Sequence, residues 1–258
     1  MPENMKADTY RSLEEAGIDI REATEADLAS LEAFLSRPDI DSLFTPALSN
    51  PVRGISIADR VKRKFTQGVW MVSVHHGSVV GCMAVVPSSL PLEVPSPDPE
   101  KNIKVSEGVS FASWNVDHIK ELSTVVTDRN LRDTLRVKGV GAELLNKTKV
   151  WVKNHGKGTW GFVTDSWVGG DMGGFIDAMN SKAYAARCQE KGLAPMTGGF
   201  DGTLVRIYTD PPKRGAGGPP TVVYGIPIED RDWEFFISHQ PEIRELNKLY
   251  TTLEAQYA

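Results

Sequence analysis

The chain has 258 residues, 40% hydrophobic and 24% charged, which excludes wholesale disorder and gives enough apolar surface for one large domain or one domain with an appendage. A formal net charge of -5 supplies no global basic field, so the balance argues against nucleic acid as a partner and sits better with a cationic amine. Cys82 and Cys188 stand far apart without a CxxC or Cys/His cluster, no apolar run approaches the roughly 20 residues that span a bilayer, and MPENMKADTY lacks the apolar core of a secretory signal, so we expect a cytoplasmic protein with neither disulfides nor metal.

Residues 1–17 are polar, end in Ala16-Gly17 and read as a short leader. Ile18-Asp19-Ile20-Arg21 alternates apolar and polar side chains as a half-buried strand requires. Thr24-Glu25-Ala26-Asp27 then offers a capping threonine to a helix with Leu28, Leu31, Phe34 and Leu35 along one stripe. Pro38, Pro46 and Pro51 interrupt any long helix, and Ser56-Ile57-Ala58-Asp59 starts a basic helix that stops near Gly68. Residues 69–74 and 79–86 are two antiparallel strands joined by His75-His76-Gly77-Ser78, with both histidines exposed in the turn. From Pro87 to about Val109, crowded proline and charge predict a long surface excursion.

Residues 118–127 predict the next strand, its apolar end buried at the centre of a sheet. After a polar bridge a helix opens at residues 136–142, carries Leu144, Leu145, Thr148, Trp151 and Val152 on one face, and ends near Gly156. A strand at 159–164 leads into a loop at 168–174 with four glycines, and a helix then runs from about Phe175 or Ser181 to Lys191, closed by Gly192. Two late strands follow at 203–208 and 221–226, joined by the Pro/Gly-rich PPKRGAGGPP. Ile243, Leu246, Leu249, Tyr250 and Leu253 have helical spacing, so a last helix packs on its own core or on a second copy of the chain as a homodimer. The domain organisation we expect is a leader at 1–17, a main domain at 18–210 and a C-terminal extension at 211–258.

The chemistry gathers on Arg136-Val137-Lys138-Gly139-Val140-Gly141-Ala142, placed between a buried strand and a helix start, where backbone N–H groups and the helix dipole favour anions. Gly139 and Gly141 let the main chain approach a ligand without Cβ interference, while Arg136 and Lys138 add positive charge, which suggests a pyrophosphate. The Gly-Lys-Ser/Thr ending of a Walker loop is missing, and so is the GxGxxG of a dinucleotide fold.

On these residues the chain resembles the GNAT N-acetyltransferase superfamily, whose acetyl-CoA pyrophosphate motif is R/Q-x-x-G-x-G/A. IDIREATEADLASL is similar to that family's first strand and helix, and VWMVSVHHGSVVGCMAVV to its second and third strands. Glu121 to Thr127 resembles the fourth strand, and NSKAYAARCQEKGL the helix and glycine after the fifth; the likeness covers roughly residues 18–210. It implies an α/β (α+β) fold with a mixed, mostly antiparallel, centrally splayed sheet flanked by helices. It departs from the family in the longer bridge from Asp128 to Leu135, and in Cys188, which stands where many relatives have the tyrosine thought to protonate the departing thiolate.

The resemblance implies an acetyl-CoA-dependent N-acetyltransferase that passes an acyl group to a primary amine, of a small molecule or a peptide, by direct attack in a ternary complex. Glu121 is similarly placed to the family's base, and Tyr184, one helical turn before Cys188, is the candidate acid. Acetyl-CoA, as acyl donor, would pair its pantetheine arm with Val125, Val126 and Thr127, and seat its diphosphate on Arg136, Val137, Lys138, Gly139, Val140, Gly141 and Ala142. Asn180 and Arg187 share a helical face with Tyr184 along the arm. His118 is a second base candidate, and Trp114, Trp167 and Trp233 are candidate pocket walls. The alternatives are another acyl-CoA, a protein or nucleobase acceptor, or a non-catalytic acyl-CoA-binding sensor.

Overall fold

The computed structural model describes residues 10–44, 47–51, 54–87, 119–155, 161–167, 171–195, 203–204, 221–238, 240 and 244. The chain divides into two compact units, one of Met1–Val85 with Thr124–His155 and one of Val86–Ser123 with Gly156–Ala258.

The first unit opens with β1 (Ile18–Glu22), followed by a 3-10 turn at Glu25–Asp27, α1 (Leu28–Leu35) and α2 (Pro38–Asp41). Then come α3 (Ile57–Gln67), β2 (Val69–His75) and β3 (Ser78–Pro87). β1 pairs antiparallel with β2 from Ile18↔His75 to Glu22↔Met71, and β2 with β3 from Val69↔Val85 to His75↔Ser78. β2 and β3 are near-continuous apolar runs because both faces are covered: every residue from Val69 to Val74 and from Val79 to Val86 is buried. Trp70, Val72, Val74, Cys82 and Ala84 pack with Leu31, Phe34 and Leu35 of α1 and Val61 of α3, the apolar stripes read from the sequence. The hairpin turns at His76 (φ 50) and Gly77 (φ 79), two left-handed residues as a two-residue turn requires, and His76 is exposed as expected.

Two elements depart from expectation here. Pro38, read as an interruption, is the first residue of α2, where a proline costs no hydrogen bond. The polar bridge after β4 (Ile119–Thr127) folds its own short helix α4 (Leu131–Thr134), whose Leu131 is buried with Ile18, Val80, Val137 and Val140 in a second apolar cluster. α5 (Val140–His155) buries Val140, Leu144, Leu145, Thr148 and Val152. Trp151, expected on that face, is half-buried at its margin, donating from Nε1 to Glu22 Oε2 at 2.7 Å and stacking on His155.

β4 is divided between the units, and in the first the strands neighbour in the order β1-β2-β3-β4. The second unit holds β5 (Gly161–Trp167), α6 (Asp171–Glu190), β6 (Thr203–Leu204), β7 (Thr221–Pro227) and α7 (Asp230–Ser238). β4 and β5 run parallel from Ile119↔Gly161 to Glu121↔Val163, whereas β1–β2, β2–β3, β5–β7 and β6–β7 are antiparallel, so the sheet is mixed and mostly antiparallel, the expected class. β7, read as part of a C-terminal extension, lies between β5 and β6.

The glycine loop expected at 168–174 is shorter than read, because α6 begins at Asp171 and takes in Gly173 and Gly174. A Cβ at Gly173 would lie 2.2 Å from Tyr224 Oη and 2.8 Å from its Cζ, so this glycine serves close packing on β7. Gly192 (φ 65) closes the helix as expected, with Leu193 N donating to Cys188 O at 2.8 Å. α7 had no counterpart in the sequence reading; Asp232 in its first turn accepts from Glu229 N at 2.9 Å. The surface excursion, His118, Trp114, residues 205–208 and nearly all of the last helix with its homodimer face lie outside the described residues.

Candidate functional site

In the first unit the chain leaves α4, turns at Arg136 (φ 52) and again at Gly139 (φ 84), and enters α5. Val137, 2% exposed, is anchored in the apolar cluster, which leaves Arg136, Lys138 and Gly139 exposed on either side of it. Two left-handed residues so close together turn the backbone sharply, and the position of Gly139 is open: a Cβ there would meet nothing within 4 Å. Glu143 N donates to Gly139 O at 2.9 Å, the first bond of the helix, so the N–H groups of residues 140–142 precede it in the open first turn. That turn carries one carboxylate, Glu143, against the cations of Arg136 and Lys138 ahead of it.

The segment read as a leader braces this turn. Arg11 N donates to Arg136 O at 2.9 Å, and Arg11 forms a parallel bridge with Val137. Tyr10 Oη accepts from Arg132 Nε at 2.9 Å, and Lys138 Nζ lies 4.6 Å from the centre of the Tyr10 ring. No spacing in the sequence signals this contact, since Tyr10 and Arg11 sit in a polar stretch without periodicity.

Val125, Val126 and Thr127 end β4 in the same unit, with Val126 buried. Just before them Thr124 takes φ 57. Lys64 Nζ of α3, 5% exposed, donates to Thr124 Oγ1, and Cys82 Sγ donates to Thr124 O at 3.7 Å. Burial pushes the Cys82 thiol far up, with the positive charge of Lys64 pulling the other way. Neither Lys64 nor Thr124 stood out in the sequence, where Lys64 is one cation of a basic helix. Beyond Thr127, Asp128 accepts from Arg37 Nη1 at 2.6 Å, so the end of the strand is tied to the start of α2.

The remaining candidates belong to the second unit. Glu121 is half-buried, opposite Val163 on β5. Tyr184 (4% exposed) and Cys188 (6%) follow each other on one buried face of α6. Asn180 is buried and donates from Nδ2 to Gly225 O at 2.9 Å. Arg187 pairs with Asp230 and lies 5.5 Å from the centre of the Trp233 ring, so Trp233, buried, is a wall for Arg187. Among the described residues no three His, Cys, Asp or Glu side chains gather as metal ligands, and no helix is long and apolar enough to cross a membrane.

No protein-family profile matches the sequence, and no curated protein does. Solved structures similar to this chain include acetyltransferases and an N-acyl amino acid synthase. The N-acetyltransferase from Staphylococcus aureus Mu50 is 18% identical over 82% of this chain and 99% of its own, with a TM-score of 0.44. The acetyltransferase of GNAT family from Streptococcus pneumoniae is 15% identical over 82% and 99%, with a TM-score of 0.44. FeeM, an N-acyl amino acid synthase from uncultured soil microbes, is 8% identical over 83% and 91%, with a TM-score of 0.46. At such scores the functional reading stands on the residues of this chain alone.

Proposed function

We propose that the protein is an acyltransferase that takes its acyl group from acetyl-CoA. The observation that carries this reading is the turn from Arg136 to Gly141: two left-handed residues, an open glycine, two exposed cations and the N-terminus of a long helix. Peptide N–H groups at such a helix start bind a diphosphate through charge-assisted hydrogen bonds, and Arg136 and Lys138 would complete the cradle. In the same unit, peptide groups of Val125, Val126 and Thr127 would pair with the pantetheine amides as an added strand and polarise the thioester carbonyl.

The acceptor we propose is a primary amine of a small molecule or peptide. The amine must lose a proton to attack the thioester carbon; the C–N bond forms as the C–S bond breaks, and the thiolate leaves with the electron pair and takes up a proton. Glu121 is our proposed base and Tyr184 our proposed acid, with Asn180 and Arg187 as the residues to test along the arm.

Acetyl-CoA alone and then with a panel of amines, followed by free-thiol release and thermal shift, tests the reading. We expect stabilisation by acetyl-CoA and amine-dependent thiol release, and Glu121→Gln lowering turnover most at low pH with coenzyme binding kept. Stabilisation without thiol release from any amine would favour a sensor; no stabilisation and no binding by calorimetry would end the coenzyme reading altogether.

A further inference from the structure

Lys64 is placed where an ammonium is expensive. It is 5% exposed on α3, with Nζ 5.8 Å from the centre of the Trp70 ring and a hydrogen bond given to Thr124 Oγ1. Thr124 is equally unusual. A β-branched residue with φ 57 inside a strand sits in the left-handed region, which its Cβ disfavours, and such strain persists only where the surroundings over-determine it. The surroundings do so from two sides, Lys64 holding the side chain and Cys82 Sγ the carbonyl.

A single left-handed residue reverses the alternation of peptide groups along a strand, as at a bulge, so the conformation of Thr124 decides which way the next peptide groups face. Those groups are Val125, Val126 and Thr127. We propose that Lys64 is a positioning residue: it locks the kink at Thr124 and so aims the peptide groups of residues 125–127 at the pantetheine arm of the coenzyme. The inference rests on the acyl-CoA reading and adds to it a group that never touches the ligand. A relaxed Thr124 would leave a smaller fraction of the protein competent to pair with the arm, and apparent affinity falls by that fraction.

Two ligands separate the arm from the diphosphate. ADP carries the diphosphate without a pantetheine arm, whereas acetyl-CoA carries both, and calorimetry on the full chain reads each. Lys64→Met weakens acetyl-CoA about tenfold, the factor that corresponds to the strain of one left-handed residue, and leaves ADP affinity where it was. Thr124→Gly supplies a residue that takes positive φ freely and needs no lock, so the double variant binds acetyl-CoA as Thr124→Gly does. Should Lys64→Met not fold, as judged by its thermal midpoint, Thr124→Val keeps the branched Cβ without the acceptor hydroxyl and shows the same tenfold loss. Unaltered acetyl-CoA affinity in Lys64→Met or Thr124→Val, equal losses for both ligands, or a Lys64→Met loss carried in full into the Thr124→Gly background would each overturn the proposal. A native chain that binds neither ligand overturns the coenzyme reading instead, a result distinct from a native chain that binds both without coupling to Lys64.

Discussion

The helix starts at Thr24 and at Gly139 belong to the same unit and solve the same electrostatic problem in opposite ways. Every helix N-terminus presents N–H groups and a positive dipole end that favour an anion. Ahead of α1 the chain supplies that anion itself: Asp27 accepts from Thr24 N at 2.8 Å and Thr24 Oγ1 at 2.9 Å, and Arg21 grips it with two nitrogens at 2.7 and 2.9 Å. The arrangement is closed, and hydrogen bonding by Arg21 above all holds the Asp27 carboxyl far below its usual range. Ahead of α5 stand Arg136, Lys138 and an open Gly139, with Glu143 as the one carboxylate of the first turn. A start completed from within contributes stability; a start lined with cations is the kind that we propose the coenzyme diphosphate completes.

The contrast breaks most readily at Gly139. Gly139→Asp adds the internal carboxylate that α5 lacks at this position, and Gly139→Asn adds the same bulk without charge; both tolerate the left-handed backbone better than other residues. We expect acetyl-CoA affinity by calorimetry to fall about a hundredfold for Asp and about tenfold for Asn, roughly 2.8 and 1.4 kcal/mol. Equal losses would mean that the turn does not read charge.

Gly173 sharpens the comparison from the second unit, because it too lies at a helix start yet serves a different need. Its φ is not left-handed, but a Cβ would lie 2.2 Å from Tyr224 Oη. Gly173→Ala should therefore destabilise by about 2–3 kcal/mol, lowering the thermal midpoint by roughly 5–10 °C, with ADP affinity kept below the transition. A parallel loss of nucleotide binding at temperatures where the variant is folded would contradict the separation of the two glycine roles.

Asp27→Asn opens the closed start, at a cost of about 1–2 kcal/mol at pH 7, a modest figure because the Arg21 side chain is 39% exposed and solvent screens its charge. The sign with pH is fixed. A carboxyl whose folded pKa is depressed stabilises the fold above its unfolded value, about 3.9, and loses that contribution as pH falls below it. Urea unfolding at pH 7 and pH 3 should show the gap between native and variant shrinking; a gap independent of pH would assign the loss to shape rather than charge.

What the sequence could show of this followed the range of the interactions. The Thr24–Asp27 and Ser56–Asp59 starts, the apolar stripes of α1, α3 and α5, and the β2–β3 hairpin depend on neighbours a few residues apart, and they were legible. The backbone turn before α5 was legible for the same reason, since Arg136, Lys138 and Gly139 lie in one short stretch. The start of α6 was not, because Gly173 and Gly174 lower local helix propensity by about 1 kcal/mol each while the contact that decides the matter comes from Tyr224 on a distant strand. Lys64 and Tyr10 were hidden likewise: their partners, Thr124 and Arg132, lie far off in the chain, and neither changes the local pattern.

The smallest effect we predict concerns a third kind of charge on α5. Lys149, half-buried on the helix, is pushed down to about 8, first by burial and then by the positive charge of Lys153 one turn on. For a cation with a depressed folded pKa the unfolded chain holds more protons between that value and the unfolded one, about 10.4, so stability rises with pH across this window. Below it the ammonium is charged in both states and the fold carries its desolvation. Lys149→Met should thus raise stability at pH 7 by about 1 kcal/mol, a figure kept low because the group is not fully buried, and the advantage should fade in thermal unfolding between pH 8 and pH 10.5. ADP affinity should stay the same, because screening confines the field of the proposed anion site to Arg136 and Lys138 at the helix start. A stability gain constant with pH would mark Lys149 as a packing fault rather than a buried charge, and a fall in ADP affinity would extend the site beyond the first turn of α5.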